Sequence, residues 1–233
     1  MKPVSQSKRL LLLTILLALT GRLLGSSEVE AVGDLSPLRS MFEVQKSIHA
    51  LSASFTQTKA LKTLRDPLVS KGRFWMQKNE LFRWELGSPA KTIVIGSPLE
   101  ITVIQPFKKT ASKVLHQTGV RGKDSIEAMG IIALPGNGDF DAFQKAVHIQ
   151  KIQTSADRCH VEFIPKESDL AQGLTTIKLD FNPQSGKWIS LEFVTKDGSS
   201  VHSDFSDIRL NPKLDQQLFQ YDLNGYRISN EKK

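Results

Sequence analysis

The sequence predicts a mainly β (α+β) single domain, in which an antiparallel meander of about ten or eleven strands follows a helix and is interrupted by a helical insertion. Composition is the first observation, because 233 residues with 39% hydrophobic and 24% charged side chains suit one globular domain. The second is the strict alternation of residues 81–86, which places apolar side chains on one face and charged side chains on the other. The third is the recurrence of such runs between turn residues, as at residues 182–186.

The N-terminal residues have the pattern of an export signal. Lys2, Lys8 and Arg9 precede a run of ten mostly apolar residues, 10–19. This pattern is typical of a secretory signal peptide, and the run is short for a membrane span, which needs about 20 apolar residues. We therefore expect a signal peptide at residues 1–31, cleaved between residues 25 and 31, and one exported domain at residues 32–233. A retained membrane anchor is the alternative.

A helix is predicted at residues 37–50. Ser36 followed by Pro37 is typical of a helix start, with Ser36 as the N-cap. Apolar residues then recur at spacings of three and four, which gives the helix one apolar face: Leu38, Met41, Phe42 and Ile48.

Strands are predicted on both sides of a central insertion. Residues 72–77 and 81–86 form a hairpin around a turn at residues 78–80. The other predicted strands are residues 53–57, 91–95, 100–105, 147–152, 160–165, 174–181, 188–195 and 201–210. Period-two alternation along each strand gives the sheet one apolar face, which must be covered.

The insertion supplies a second cover for that face. Residues 124–134 are apolar on most sides and predict one or two helical turns, ended by Pro135 and Gly136. Asp139 is predicted to cap a further short helix through Phe143.

Residues suited to metal binding or catalysis are scattered. The five histidines never occur at metal-ligand spacing, and Cys159, the single cysteine, cannot form an intrachain disulfide. Ser88 and Lys91 fit a Ser-x-x-Lys pattern, but Pro89 leads into a strand where that chemistry needs a helix. We expect no enzymatic activity, no metal and no cofactor.

The net charge of +7 is spread along the chain without a basic run. A phosphate backbone is normally tracked by such a run, so we expect no nucleic-acid binding. A mildly basic surface suits either the approach to anionic surfaces or simple solubility.

Several short motifs follow one another along the chain: Leu-Ser-Ala-Ser-Phe-Thr-Gln at residues 51–57, Gly-x-Phe-Trp-Met at 72–76, Leu-Phe-x-Trp at 81–84, Gln-Pro-Phe at 105–107 and Leu-Phe-x-Tyr at 218–221. In this order they resemble the periplasmic lipoprotein carriers of the LolA type. The resemblance spans roughly residues 36–226 and is dense only between residues 51 and 107.

The resemblance implies an unclosed half β-barrel whose concave face is covered by a helical lid, here residues 37–50 and 124–143. Members of this family carry acylated lipoproteins from an inner-membrane ABC-type releasing complex to an outer-membrane acceptor. It therefore implies a monomeric periplasmic carrier that performs no covalent chemistry.

A lipid-binding cavity is expected on the apolar face. Its predicted lining residues are Phe55, Phe74, Met76, Phe82, Trp84, Leu86, Ile93, Ile95, Ile101, Val103, Met129, Ile132 and Leu134. For each of these side chains, packing in a core beneath a helix is the alternative.

The chain departs from the family at the turn before residue 81. Members have Arg-Pro there, and that arginine bonds lid backbone groups and holds the cavity shut. Lys78 and Asn79 take these positions here. Lysine lacks the planar fork of arginine, so we expect Lys78 to gate the lid less firmly.

Two further function classes stay open at the level of sequence. One is a sensor of mislocalised lipoproteins built on the same half-barrel. The other is an envelope protein, or an enzyme, that handles another lipid or a glycolipid.

Overall fold

A computed structural model of the protein describes residues 33–78, 81–115, 139–166 and 173–230. The described helices are α1 (Ser36–Lys46) and α2 (Phe140–Ala146). The strands are β1 (Ala50–Ala60), β2 (Leu68–Gln77), β3 (Leu81–Leu86), β4 (Thr92–Gly96), β5 (Glu100–Gln105), β6 (Thr110–Leu115), β7 (Val147–Thr154), β8 (Cys159–Pro165), β9 (Leu174–Phe181), β10 (Trp188–Thr195), β11 (Ser200–Leu210) and β12 (Arg227–Asn230). The predicted signal peptide and the predicted helical turns at residues 124–134 lie outside the described residues.

All these strands join one sheet in the order β12-β6-β5-β4-β3-β2-β1-β11-β10-β9-β8-β7. Neighbours pair antiparallel, except that β12 runs parallel to β6. The edges, β12 and β7, do not pair with each other, so the sheet is unclosed. The predicted fold class is therefore confirmed, with twelve strands in the described part instead of ten or eleven.

Helix α1 is shorter than predicted because a side chain that follows β11, the strand paired with β1, fixes its exit. The Asn211 carboxamide oxygen accepts from the His49 and Ala50 backbone N–H groups at 2.8 and 3.3 Å. Its amide nitrogen donates to the Ser47 carbonyl at 3.2 Å. These bonds turn the chain directly from α1 into β1.

The two helix starts differ in how well the sequence predicted them. Ser36 is the first residue of α1 and not its N-cap, and its backbone N–H donates to the Asp34 carboxylate at 2.9 Å. Asp139 does cap α2, as predicted, accepting from the Ala142 N–H at 2.8 Å. No helix in the described part of the chain is both long and apolar enough to span a bilayer.

The C-terminal segment covers the sheet face opposite the two helices. After β11 the chain passes β3, forms a 3₁₀ turn at Gln216–Phe219 and returns as β12. It contributes to a second small cluster, whose members are Ile93, Ile104 and Ala111 with Ala90, Ile95, Tyr221, Leu223 and Tyr226 packed against them.

An ion pair fastens this segment to β3. The Arg83 guanidinium donates to the Leu218 and Gln220 carbonyls at 3.0 and 3.3 Å. It also meets the Glu85 carboxylate at 2.7 Å, and Arg73 reaches the other oxygen of that carboxylate at 2.9 Å. Arg83 therefore links the sheet, a buried carboxylate and the returning chain.

The two tyrosines of the second cluster provide a titration test of this packing. Their hydroxyl oxygens lie 2.9 Å apart, and this hydrogen bond, followed by burial, raises the pKa of Tyr221 to about 12. Since the neutral phenol is favoured in the folded state, the stability that this bond contributes is present below about pH 10 and is lost as the pH rises toward 12.

We expect Tyr226→Phe to lower the pKa of Tyr221 toward the ordinary tyrosine value of about 10, because the acceptor for its proton is removed. The chain has only two tyrosines, so an ultraviolet titration of the variant follows Tyr221 alone. A pKa that stays near 12 would mean that burial, and not Tyr226, holds the proton.

Candidate functional site

The sheet face covered by the helices carries a continuous row of apolar side chains, which we call the aromatic face. Directly opposed residues of antiparallel strands share a face. Phe74 of β2 lies opposite Trp84 of β3, which lies opposite Val94 of β4, which lies opposite Val103 of β5. Four adjacent strands therefore present buried side chains to the same side.

Glycines on this face make room for the aromatic rings. A Cβ atom on Gly72 would lie 2.1 Å from the Phe55 ring, and one on Gly96 would lie 1.8 Å from the Phe82 ring. Because Gly72 has no side chain, Phe55 stacks on Trp84 with ring centroids 5.6 Å apart. Glycine and aromatic residues on neighbouring strands thus form one flat apolar layer.

Most of the predicted cavity residues meet on the aromatic face. Phe55, Phe74, Phe82, Trp84, Ile101 and Val103 are buried in one cluster, and Met76 and Leu86 are partly buried against it. Met129, Ile132 and Leu134 lie outside the described residues. The described face is closely packed, so these side chains form a core wall whether or not they also contact a ligand.

Ile93 and Ile95 are placed on the opposite face, which corrects the expectation for these two residues. They pack in the second cluster with the C-terminal segment. The register explains this placement: Trp84 pairs with Val94, so the residues on either side of Val94 must point the other way. Val94, which the sequence analysis did not select, is fully buried on the aromatic face.

Lys78, the predicted gating residue, is exposed at the end of β2. Its backbone N–H donates to the His49 carbonyl at 2.8 Å. Residues 124–138 of the predicted lid at residues 124–143 are outside the described residues, so the gating role of Lys78 stays a prediction.

The two helices cover the part of the face that includes β8, and they do so through a group of phenylalanines. Phe42 of α1 contacts Phe140 and Phe143 of α2, with ring centroids 5.7 and 5.0 Å apart. Phe143 in turn meets Phe163 of β8 at 5.1 Å. The Arg39 guanidinium lies 4.2 Å from the Phe140 ring centre and adds a cation–π contact between the helices.

A cavity of about 210 Å³ opens at the other end of the aromatic face. Its lining residues come from β1 to β4: Gln57, Lys59, Leu68, Ser70, Trp84, Leu86 and Thr92. It is smaller than the roughly 300–1,000 Å³ of typical small-molecule sites. A ligand larger than this space can bind only if the residues that cover the face move.

Two residues that line this cavity each hold a buried nitrogen atom without a hydrogen-bond partner among the described residues: Gln57 Nε2 and Trp84 Nε1. The sequence analysis missed Gln57, although alternation from Phe55 places it on the same face. Groups of three or more His, Cys, Asp or Glu residues that could hold a metal ion do not occur in the described ranges.

Comparison with known sequences gives a consistent family match. A family model described as outer membrane lipoprotein carrier protein LolA matches residues 46–222. An outer-membrane lipoprotein carrier protein from Dechloromonas aromatica (strain RCB) is 25% identical over 177 residues, which cover 76% of this chain and 78% of that protein.

Among solved structures, one with a TM-score of 0.50 supports the fold. A conserved protein of Thermus thermophilus superposes with a TM-score of 0.50 at 9% identity, covering 84% of this chain and 97% of that one. A LolA superfamily protein from Nitrosomonas europaea gives a TM-score of 0.42 at 14% identity, covering 82% and 99% of the two chains.

Proposed function

This chain belongs to the LolA family of outer membrane lipoprotein carrier proteins, and from that premise we propose that it binds the acyl chains of lipoproteins on the aromatic face and carries them through the periplasm to the outer membrane. The observation that carries the proposal is the aromatic face itself. It joins Phe55, Trp84 and Val94 into one apolar wall that ends in a cavity.

The energetics of an acyl chain explain why a carrier is needed. Each buried CH₂ group stabilises a bound chain by about 0.8 kcal/mol, so about fifteen methylenes contribute on the order of 12 kcal/mol. Free transfer through water is excluded by a cost of this size. An apolar face that is covered when empty can hold such a chain and still release it to a membrane.

The proposed route includes the partners of the family. The basic and apolar residues at the N-terminus support export by a signal peptide. We propose that an inner-membrane ABC-type complex loads the monomeric carrier, that an outer-membrane acceptor unloads it, and that neither step involves covalent chemistry on this chain. Lysine at position 78 supports a lid that is held shut less firmly than in members with arginine.

Lipid extraction from the protein purified from its native periplasm tests the proposal. Diacylglyceryl-cysteine peptides in the extract are the expected result. Recovery of other lipids or glycolipids alone would contradict lipoprotein transport and support an envelope lipid-binding protein on the same fold.

We expect Leu86→Gln to weaken binding of a diacylated cysteinyl peptide at least about tenfold, because it places an amide among the apolar groups that would contact the chains. Leu86 is only partly buried, so the fold should tolerate the change. Fluorescence titration with a labelled peptide measures the affinity.

Ile95→Gln is the matched control. Ile95 is also partly buried and lies on the neighbouring strand, but it faces the second cluster. It should leave the affinity unchanged. Equal weakening by both variants would show that general destabilisation, and not the aromatic face, sets the affinity.

A further inference from the structure

The cavity beside Trp84 differs from the rest of the aromatic face because polar side chains share its lining with Leu68, Trp84 and Leu86: Gln57, Lys59, Ser70 and Thr92. Gln57 of β1 and Trp84 of β3 are 2% and 1% exposed, and both border the cavity. Gln57 is flanked across the sheet by Ser70 and Ser203, whereas Phe55, two residues earlier, stacks on Trp84. The polar end and the apolar wall are therefore continuous.

Each of these two side chains holds a buried hydrogen-bond donor, Gln57 Nε2 or Trp84 Nε1, that has no partner among the described residues. Buried polar atoms are hydrogen-bonded in the great majority of cases, since an unpaired one costs free energy. An indole N–H can only donate, and a carboxamide nitrogen also donates. The missing partner of both groups is therefore an acceptor oxygen.

An acyl ligand carries such an acceptor at one end. The carbonyl oxygen of an ester or amide linkage accepts hydrogen bonds, and the hydrocarbon that follows it is apolar. A carbonyl at Trp84 would place the attached chain against the adjoining aromatic face. The cavity of about 210 Å³ has room for a linkage of this kind but not for a large headgroup.

We propose that Gln57 and Trp84 form a subsite for the carbonyl oxygens of acyl linkages, so that the protein selects ester- or amide-linked chains over alkyl chains of equal length. The inference rests on the proposed function, because it assigns the polar end of the same ligand. It adds a recognition element to a face that otherwise contacts hydrocarbon only.

The first test needs no substitution. The purified protein is titrated with a dipalmitoylglyceryl cysteinyl peptide and with its dihexadecyl ether analogue, which has the same chains but no carbonyl groups. We expect the ester to bind about fivefold more tightly for each hydrogen bond formed, and thus about 25-fold more tightly when both donors are used.

Two variants then test whether Gln57 and Trp84 cause the preference for the ester over the ether. Gln57→Met and Trp84→Phe remove one donor each and leave an apolar side chain in its place, so each should reduce the ratio of ester affinity to ether affinity. This ratio cancels any change in the hydrocarbon contacts, which both ligands share. Leu86→Met, which changes the same cavity without removing a donor, should affect both ligands alike.

The indole N–H signals give a readout that does not depend on affinity. The chain has three tryptophans, and Trp84→Phe assigns one signal to Trp84. That signal should move downfield with the ester peptide and not with the ether.

The outcomes are distinct. Equal binding of ester and ether, or a preference that both variants retain, overturns the carbonyl subsite and leaves the carrier proposal intact. Binding of neither peptide overturns both proposals.

Discussion

Replacing Phe42 with alanine is expected to lower the free energy of unfolding by about 3–5 kcal/mol, the usual cost of truncating a buried phenylalanine. Phe42 is fully buried on α1 and contacts both aromatic rings of α2. Alanine would leave a void between the helices that the short α2 cannot close. Denaturant unfolding measures the loss.

Glu43→Ala is the control on the same helix. Glu43 is exposed, and its ion pair with Lys46 at 2.7 Å lies on the helix surface. Such pairs contribute about 0.5 kcal/mol or less, so this variant should stay close to the original stability. A loss below about 1 kcal/mol for Phe42→Ala would mean that α1 is only loosely attached.

The size of this effect bears on how cargo enters. Lifting α1 and α2 from the sheet exposes five buried side chains, at roughly 2 kcal/mol each or about 10 kcal/mol together: Leu38, Met41, Phe42, Phe140 and Phe143. The roughly 12 kcal/mol that one bound acyl chain contributes is of the same size as that cost. Under the proposed function, we therefore expect cargo on the aromatic face to offset the cost of displacing the helix pair. Since both helices share one aromatic group, they are expected to move together.

The face of each strand was predictable only where one side of the strand is polar. Residues 81–86 alternate strictly, and Phe82 and Trp84 lie on the predicted face. Thr92–Gly96 is apolar at three successive positions and buried on both faces, so alternation cannot tell Ile93 from Val94. Pairing with β3 decides which of the two side chains lies on the aromatic face. This pairing depends on contacts between strands, which the periodicity of a single segment does not reveal.

Long-range contacts also explain the strands that the sequence analysis missed. β12 has four residues, and its partner β6 lies more than a hundred positions earlier in the chain. A parallel pairing of that separation has no local turn signal. The exit of α1 is similar, because Asn211 is close to residues 47–50 in space but more than 160 positions away in the sequence. Gln57, by contrast, could have been predicted by extending the alternation of β1 beyond Phe55.

Arg83→Met is the second change for which we expect a large effect, a loss of about 3 kcal/mol in the free energy of unfolding. The Arg83 and Glu85 side chains are 12% and 10% exposed, so their charges are largely removed from water. Without Arg83 the Glu85 carboxylate keeps only Arg73, and the Leu218 and Gln220 carbonyls lose their donor.

Arg73→Met tests whether the large stability loss expected for Arg83→Met depends on burial or only on the loss of a charge. Arg73 binds the same carboxylate at 2.9 Å, but its side chain is 64% exposed. Exposed ion pairs contribute about 1 kcal/mol or less, so this variant should lose far less stability than Arg83→Met. Equal losses would mean that the Arg83 contacts to the C-terminal segment contribute nothing beyond a surface charge.

The double variant Arg83→Met with Glu85→Met separates the charge pairing of Arg83 from its contacts with the C-terminal segment. If the penalty of Arg83→Met comes from a stranded carboxylate, removing that carboxylate should restore much of the stability, since buried ion pairs are often replaceable by apolar groups. The carbonyls of Leu218 and Gln220 stay without their donor in both variants, so hydrogen exchange in residues 216–230 should be faster in both. If stability is restored while exchange stays fast, the unpaired Glu85 carboxylate causes the loss of stability in Arg83→Met. Arg83 then serves mainly to attach the returning chain. If the double variant is as unstable as Arg83→Met, the whole loss of stability comes from the two carbonyl contacts.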